Sequence, residues 1–274
     1  MILDFHTHAF PDALAERAMA MLEQGGSIQA RLDGKVSSLL RSMDDAGIET
    51  SVVASIATKP EQFPSILKWS KAIASARLIP FPSVHPDDPQ AAEGIRLIAA
   101  EGLQGIKLHP YYQAFDLGEE RMLPIYEALA RSGLLLLCHT GFDFAFPHVR
   151  RCDPPRILKI VERFPELKLV TSHLGGWRDW DRVRECLLGK PIYMEISFSI
   201  ELLGDGPARD LLLAHPQDYL LFGTDSPWAG QKETVAAVRR LGLGAGLEAR
   251  TFSENARRLL GLSAADVLPP EKRP

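Results

Sequence analysis

The sequence predicts an α/β fold of the (β/α)8 TIM-barrel type, and three observations carry that expectation. Eight apolar runs of strand type alternate with helical segments along the chain. Most of those runs are apolar throughout, as strands covered on both faces are. Histidine, lysine or aspartate recurs where the runs end, and such barrels gather their active sites at the C-terminal ends of their strands. The length of 274 residues suits one barrel, typically ~250 residues, so a single domain over 1–274 is expected. An open doubly wound sheet is the main competitor, but it usually carries a Gly-rich phosphate loop after its first strand. Here that place holds His6-Thr7-His8-Ala9-Phe10-Pro11.

Taken in order, Ile2-Leu3-Asp4-Phe5 opens the first strand, which ends in His6-Thr7-His8. Strand side chains alternate between faces, so His6 and His8 point the same way and make half a metal site. Two histidines at this spacing also occur by chance, and it is the later strand ends that strengthen the metal reading. Helices are expected over 11–24 and 36–47, with Gly25-Gly26-Ser27 and Asp33-Gly34 as turns between them. Strands follow at 50–55, 78–81 and 102–109, separated by a helix through Ile66, Trp69 and Ile73 and another over 88–101. A helix over 119–132 leads to the run 134–137 and Cys138-His139-Thr140-Gly141. Asp153-Pro154-Pro155 has the pattern of an N-cap followed by prolines in a first helical turn. The remaining strands are expected at 167–173, 192–197 and 219–224, with helices over 177–188, 207–214, 231–241 and 247–260. The polar tail at 263–274 is expected to be loose.

Composition narrows the function classes. Lys plus Arg number 31 against 35 Asp plus Glu, a net charge of −4, which argues against nucleic-acid or membrane-surface binding. No apolar run approaches the ~20 residues of a membrane span, and a strand at the very start leaves no room for a signal peptide. Cys138, Cys152 and Cys186 lack zinc-finger spacing and read as buried small groups of a reduced, cytoplasmic protein. The expected partner is a small-molecule substrate, with a homo-oligomer left open.

The chemistry-bearing residues fall at one end of the expected barrel. They are His6 and His8 after the first strand, Lys107 and His109 at the fourth, His139 at the fifth, His173 at the sixth and Asp225 after the eighth. Each has a plainer reading: His139 as a buried imidazole bonded to backbone, His173 as a packing residue, Asp225 as an N-cap. An inward lysine on a parallel barrel strand is costly unless paired or modified, which singles out Lys107. Tyr111, Tyr112, Trp177 and Trp228 follow strand ends and either wall a pocket or pack loops onto the barrel. Arg150 and Arg151 offer a fork for a carboxylate, although solvated loop arginines are commoner. Glu195 lies inside a strand and needs a partner, with Lys107 or a substrate proton as candidates.

These segments together resemble the amidohydrolase superfamily, in its amidohydrolase-related branch of aromatic-acid decarboxylases and pyrone-dicarboxylate lactonases. The carriers are Asp4-Phe5-His6-Thr7-His8, Gly105-Ile106-Lys107-Leu108-His109-Pro110, His139-Thr140-Gly141, Ser172-His173-Leu174-Gly175-Gly176, Gly223-Thr224-Asp225-Ser226-Pro227 and Asn255-Ala256-Arg257-Arg258-Leu259-Leu260-Gly261-Leu262. The resemblance implies one divalent metal, zinc or alternatively manganese, held by His6, His8, His139 and Asp225. It makes His173, with Asp225, the group that orients and deprotonates a water. Its alternative is a second metal, with Lys107 carboxylated and His173 a ligand. Lys107, His109, Tyr111, Arg150 and Trp177 are the expected substrate contacts. The expected activity is hydrolysis of a C–O or C–N bond in a small carboxylated or cyclic compound. The alternatives are nonoxidative decarboxylation of an unsaturated or aromatic acid and, further off, a noncatalytic metal-binding protein.

Overall fold

The computed structural model describes residues 1–262, so the expected loose tail at 263–274 lies outside the described residues. The strands are β1 (Leu3–Thr7), β2 (Thr50–Ala54), β3 (Leu78–Phe81), β4 (Gly105–Leu108), β5 (Leu135–Cys138), β6 (Lys168–Thr171), β7 (Tyr193–Glu195) and β8 (Leu220–Leu221). Between and after them run α1 (Asp12–Gly26), α2 (Val36–Ala46), α3 (Phe63–Ile73), α4 (Ala91–Ala100), α5 (Leu123–Ser132), α6 (Pro154–Arg163), α7 (Trp180–Cys186), α8 (Ile200–Leu203), α9 (Asp205–Ala214), α10 (Gln231–Arg240), α11 (Ala245–Ala249) and α12 (Asn255–Leu260). Every strand pair is parallel, in two ladders, β1-β2-β3 and β4-β5-β6-β7-β8.

Single hydrogen bonds join the ladders at both seams and close the barrel. At one seam Lys107 N donates to Pro82 O at 2.8 Å, and the Ser83 hydroxyl donates to Lys107 O at 2.8 Å. At the other, Phe5 N donates to Phe222 O at 2.8 Å and Asp225 N to His6 O at 2.7 Å. That second seam explains why β8 is much shorter than the apolar run 219–224. Beyond Leu221 the backbone leaves β7 and bonds to β1 and to Thr251, whose carbonyl accepts from Phe222 N at 2.8 Å. The same carbonyl lies in a π-helical turn, Arg250–Glu254, which interrupts the expected helix over 247–260 between α11 and α12.

The core divides by strand parity. Leu3, Phe5, Val52, Ala54, Phe81, Leu135, Leu137, Val170 and Leu221 form one buried cluster inside the barrel, with Ala256 and Leu260 of α12. Their alternate neighbours Val53, Ile106, Leu108, Leu136, Cys138, Leu220 and Phe222 pack outward under the helices. On β1 the parity is broken on purpose. Its register against β2 slips between Asp4 and Thr7, a bulge that lets Phe5 fill the interior while the next residue, His6, also faces the open end.

The wholly buried Asp4 holds this strand against β8 and α10. Its carboxylate accepts from His6 N at 3.2 Å, Thr224 N at 3.0 Å, the Thr224 hydroxyl at 2.6 Å and Gln231 Nε2 at 2.8 Å. Burial pushes its pKa up to about 7 against the pull of those donors. Asp4→Ala strands several buried donors at once and should lower the unfolding free energy by ~2–4 kcal/mol in urea titrations. A loss below ~1 kcal/mol would show that the seam does not depend on this carboxylate.

Candidate metal centre

The strand ends and the loops after them bring His6, His8, Lys107, His109, His139, His173 and Asp225 to the floor of one cavity of about 890 Å³. In each of four rings one nitrogen is tied to an acceptor that carries no proton. His6 Nδ1 meets Glu195 Oε1 at 3.0 Å, and His8 Nδ1 meets Ala54 O at 2.8 Å. His139 Nε2 meets Phe142 O at 2.9 Å, and His173 Nδ1 meets Ser197 O at 3.0 Å. These acceptors assign the N–H to the tied nitrogen of each neutral ring, so the other nitrogen presents its lone pair.

Those lone pairs face one another. His6 Nε2 lies 3.1 Å from His8 Nε2, and His139 Nδ1 lies 3.2 Å from His173 Nε2. Asp225 Oδ1 is 3.0 Å from His8 Nε2 and 3.4 Å from His6 Nε2, and it is buried with no hydrogen-bond donor. Protonation of His6 or His139 does not relieve the crowding. Burial, reinforced by Lys107 for His6 and by His109 for His139, drives both imidazoles well below their usual pKa. A cation would satisfy the facing atoms of His6, His8 and Asp225, and two imidazoles with one carboxylate are donors that suit zinc or a similar divalent ion. His6, His8 and Asp225 could hold one, their ligand atoms all lying within 4.8 Å of one another.

Residues 3–262 match the family model described as amidohydrolase. The chain belongs to the amidohydrolase family. It is an enzyme family whose members depend on metals and include hydrolases and decarboxylases. The 5-carboxyvanillate decarboxylase of Sphingomonas paucimobilis has a similar fold, with a TM-score of 0.74 and 14% identity over 96% of this chain and 99% of that one. A Pseudomonas putida protein assigned as a 2-pyrone-4,6-dicarboxylic acid hydrolase gives 0.67 and 19% over 95% and 97%. In sequence, 111 residues are 32% identical to a dihydroorotase of Azotobacter vinelandii, covering 37% of this chain. The match spans about a third of that relative's length, 32%.

Within this amidohydrolase, the expected ligand His139 does not turn its free nitrogen to His6 and His8 but to His173. Lys107 is wholly buried with Nζ 3.0 Å from His6 Nε2, and burial lowers its pKa. Glu195 has His6 as its partner instead of Lys107, and it also accepts from His173 N at 3.0 Å and from Ser197 N at 2.7 Å. Gly223 makes room for it, since a Cβ there would collide with the Glu195 carboxylate. His173, Phe198 and Asp225 hold φ values of 56°, 52° and 62°, left-handed backbone that clusters around this floor.

The remaining expected contacts separate. His109, Tyr111 and Trp177 line the cavity, but the Tyr111 hydroxyl is held between Gly141 O at 2.9 Å and Val149 O at 2.7 Å. Arg150 is absent from the lining. Its guanidinium pairs with Asp179 at 3.1 Å and lies over the Phe142 ring, so it buttresses the loop after β5 instead of meeting a substrate carboxylate. Asp143 has no signature in the sequence. It is buried 3.4 Å from His109 Nε2, in a loop of no regular period that offers no signal for it.

Two outcomes follow. Glu195→Ala frees the His6 ring, and loss of such an orienting group should weaken zinc binding about 10- to 100-fold in competition with a chelator. Arg150→Ala should leave metal content unchanged and cost less than ~1 kcal/mol of stability, because the pair is partly exposed.

Proposed function

We propose that this protein is a metal-dependent hydrolase acting on a C–O or C–N bond of a carboxylated or cyclic substrate. The observation that carries the reading is the convergence of two facing imidazole pairs and the undonated Asp225 Oδ1 on one cavity floor. A divalent ion held there supplies Lewis acidity, acidifying a water and polarising the scissile carbonyl. His6, His8 and Asp225 would hold one ion. The 3.2 Å approach of His139 Nδ1 to His173 Nε2 favours a second, which those two rings would hold and to which Lys107, if carboxylated, would offer a further oxygen donor. Carboxylation is open to the uncharged amine: it adds to carbon dioxide and releases one proton, and burial favours that uncharged form. His109, next to Asp143, can donate or accept a hydrogen bond at the substrate. Asp225, touching both His6 and His8, is the group to receive a proton from the attacking water.

Decarboxylation of an aromatic acid is the second reading. The aromatic wall of Tyr112, Phe146 and Trp177 suits a flat substrate, and the fold is shared with the 5-carboxyvanillate decarboxylase. Carbon dioxide release without net water uptake selects it, whereas product carboxylate or amine from lactones, cyclic amides or esters selects hydrolysis.

The metal count is the sharper measurement. Protein made in bicarbonate-supplemented medium should carry two zinc or manganese ions per chain by elemental analysis. Lys107→Ala and His173→Asn should each retain at most one, and His6→Ala or Asp225→Ala should deplete the first. Turnover of His173→Asn should fall in step with its lost ion. One ion in wild type, unchanged in Lys107→Ala, would return the single-metal arrangement with His173 as the base.

A further inference from the structure

The catalytic floor fills only one end of the cavity. About 890 Å³ is far more than a single-ring acid needs and lies near the top of the range for small-molecule sites. The extra space runs along α1. That helix has two apolar faces: Ala15, Met19 and Gly26 are buried in the fold, whereas Leu14, Ala18, Met21 and Leu22 line the cavity. The second set recurs at helical spacing, and Leu14 and Met21 span two turns, ~10 Å of axis. Leu14 is 56% exposed and Met21 63%, and Phe144, packed on Gly26 at the C-terminal end of α1, is 40% exposed. Apolar side chains standing open on a cavity continuous with a reactive centre mark a binding wall. Beyond the floor the charged groups of the lining are Asp143, which sits against His109 and His139, and the cations Arg17 and Lys59, neither of which has an ion-pair partner among the described residues.

From this wall we propose that the substrate carries an apolar arm, a medium-length chain or a second ring, which packs against α1 and bears an anionic group facing the lining cations Arg17 and Lys59. The inference rests on the metal-dependent reading only for what anchors the other end. Leu14, Met21 and Phe144 would then set chain-length preference, and Arg17 and Lys59 would select a terminal carboxylate over a methyl.

The test is calorimetric titration of the metal-loaded protein with alkyl hydroxamates of increasing length. A hydroxamate grips the metal, so acetohydroxamate probes the floor and its longer homologues probe the wall. Affinity should rise about four-fold per added methylene up to octanohydroxamate, the free-energy equivalent of burying each one. The octanoyl-over-acetyl gain should collapse in the Leu14→Asp/Met21→Asp double variant, whose sites are exposed enough to spare the fold. It should also collapse in Ala18→Trp, which fills the same space. Suberic acid monohydroxamate should bind about two- to five-fold tighter than octanohydroxamate, the size of an exposed ion pair, and lose that margin in Arg17→Ala/Lys59→Ala. Acetohydroxamate bound with no gain on lengthening overturns the arm and leaves the metal reading standing. Failure of acetohydroxamate itself overturns both. A flat length series with dimerisation abolished by Leu14→Asp/Met21→Asp would give the wall to a second copy of the chain, and overturns the proposal equally.

Discussion

The centre depends on one buried carboxylate. Glu195, at the end of β7, takes the His6 Nδ1 proton at 3.0 Å, the His173 amide at 3.0 Å and the Ser197 amide and hydroxyl at 2.7 and 2.8 Å. Those contacts fix the His6 tautomer, set the left-handed turn that presents His173, and tie three strand ends together. An unpaired buried carboxylate would cost several kcal/mol, so the site tolerates Glu195 only because each oxygen is met by donors. Gly223 completes the arrangement from the facing strand, where any side chain would occupy the carboxylate's place. Asp4 repeats the device on the other side of β1, accepting from Thr224 and Gln231. The first strand, which carries His6 and leads straight into His8, is therefore clamped between two buried acids.

That clamp accounts for the division of labour inside the barrel. Phe5, Phe81, Leu137 and Leu221 seal the lower interior, and polar groups occupy the upper. A regular β1 would send Phe5 and His6 to opposite faces. The register slip between Asp4 and Thr7 turns both inward, so apolar sealing and metal-type chemistry sit on adjacent residues. The price is a seam built from isolated hydrogen bonds instead of a full ladder, reinforced by Asp4 and by the Thr251 carbonyl.

Much of the fold was legible because parallel barrel strands are continuous apolar runs and their helices have helical period. Strand lengths were not, since Leu220–Leu221 is curtailed by partners distant in sequence. The α11–α12 interruption has the same origin, one helical carbonyl committed to Phe222. The histidines were legible by their position at strand ends. What each nitrogen does was not, because tautomers are decided by Ala54, Phe142, Ser197 and Glu195, which no spacing rule links to them. Arg150 illustrates the converse. Its chemistry suited a substrate carboxylate, but Asp179, on a different loop, already supplies one.

Lys107 is where local cost and site chemistry meet. Its side chain is wholly buried on the inward face of β4, and its nearest polar neighbour is an imidazole nitrogen, which cannot neutralise an ammonium. Burial lowers its pKa, while Asp225 and Glu195 act through space to raise it, so the balance turns on how much negative charge the floor carries. Any cation held by His6, His8 and Asp225 adds positive charge beside the amine and tips that balance further toward its uncharged form. An uncharged lysine left in that position would be a polar group without a purpose in the packing. Its conversion to a carboxylate would supply an anion beside the His139–His173 pair, as Asp225 does beside His6 and His8, and would turn a costly residue of the barrel interior into a candidate ligand.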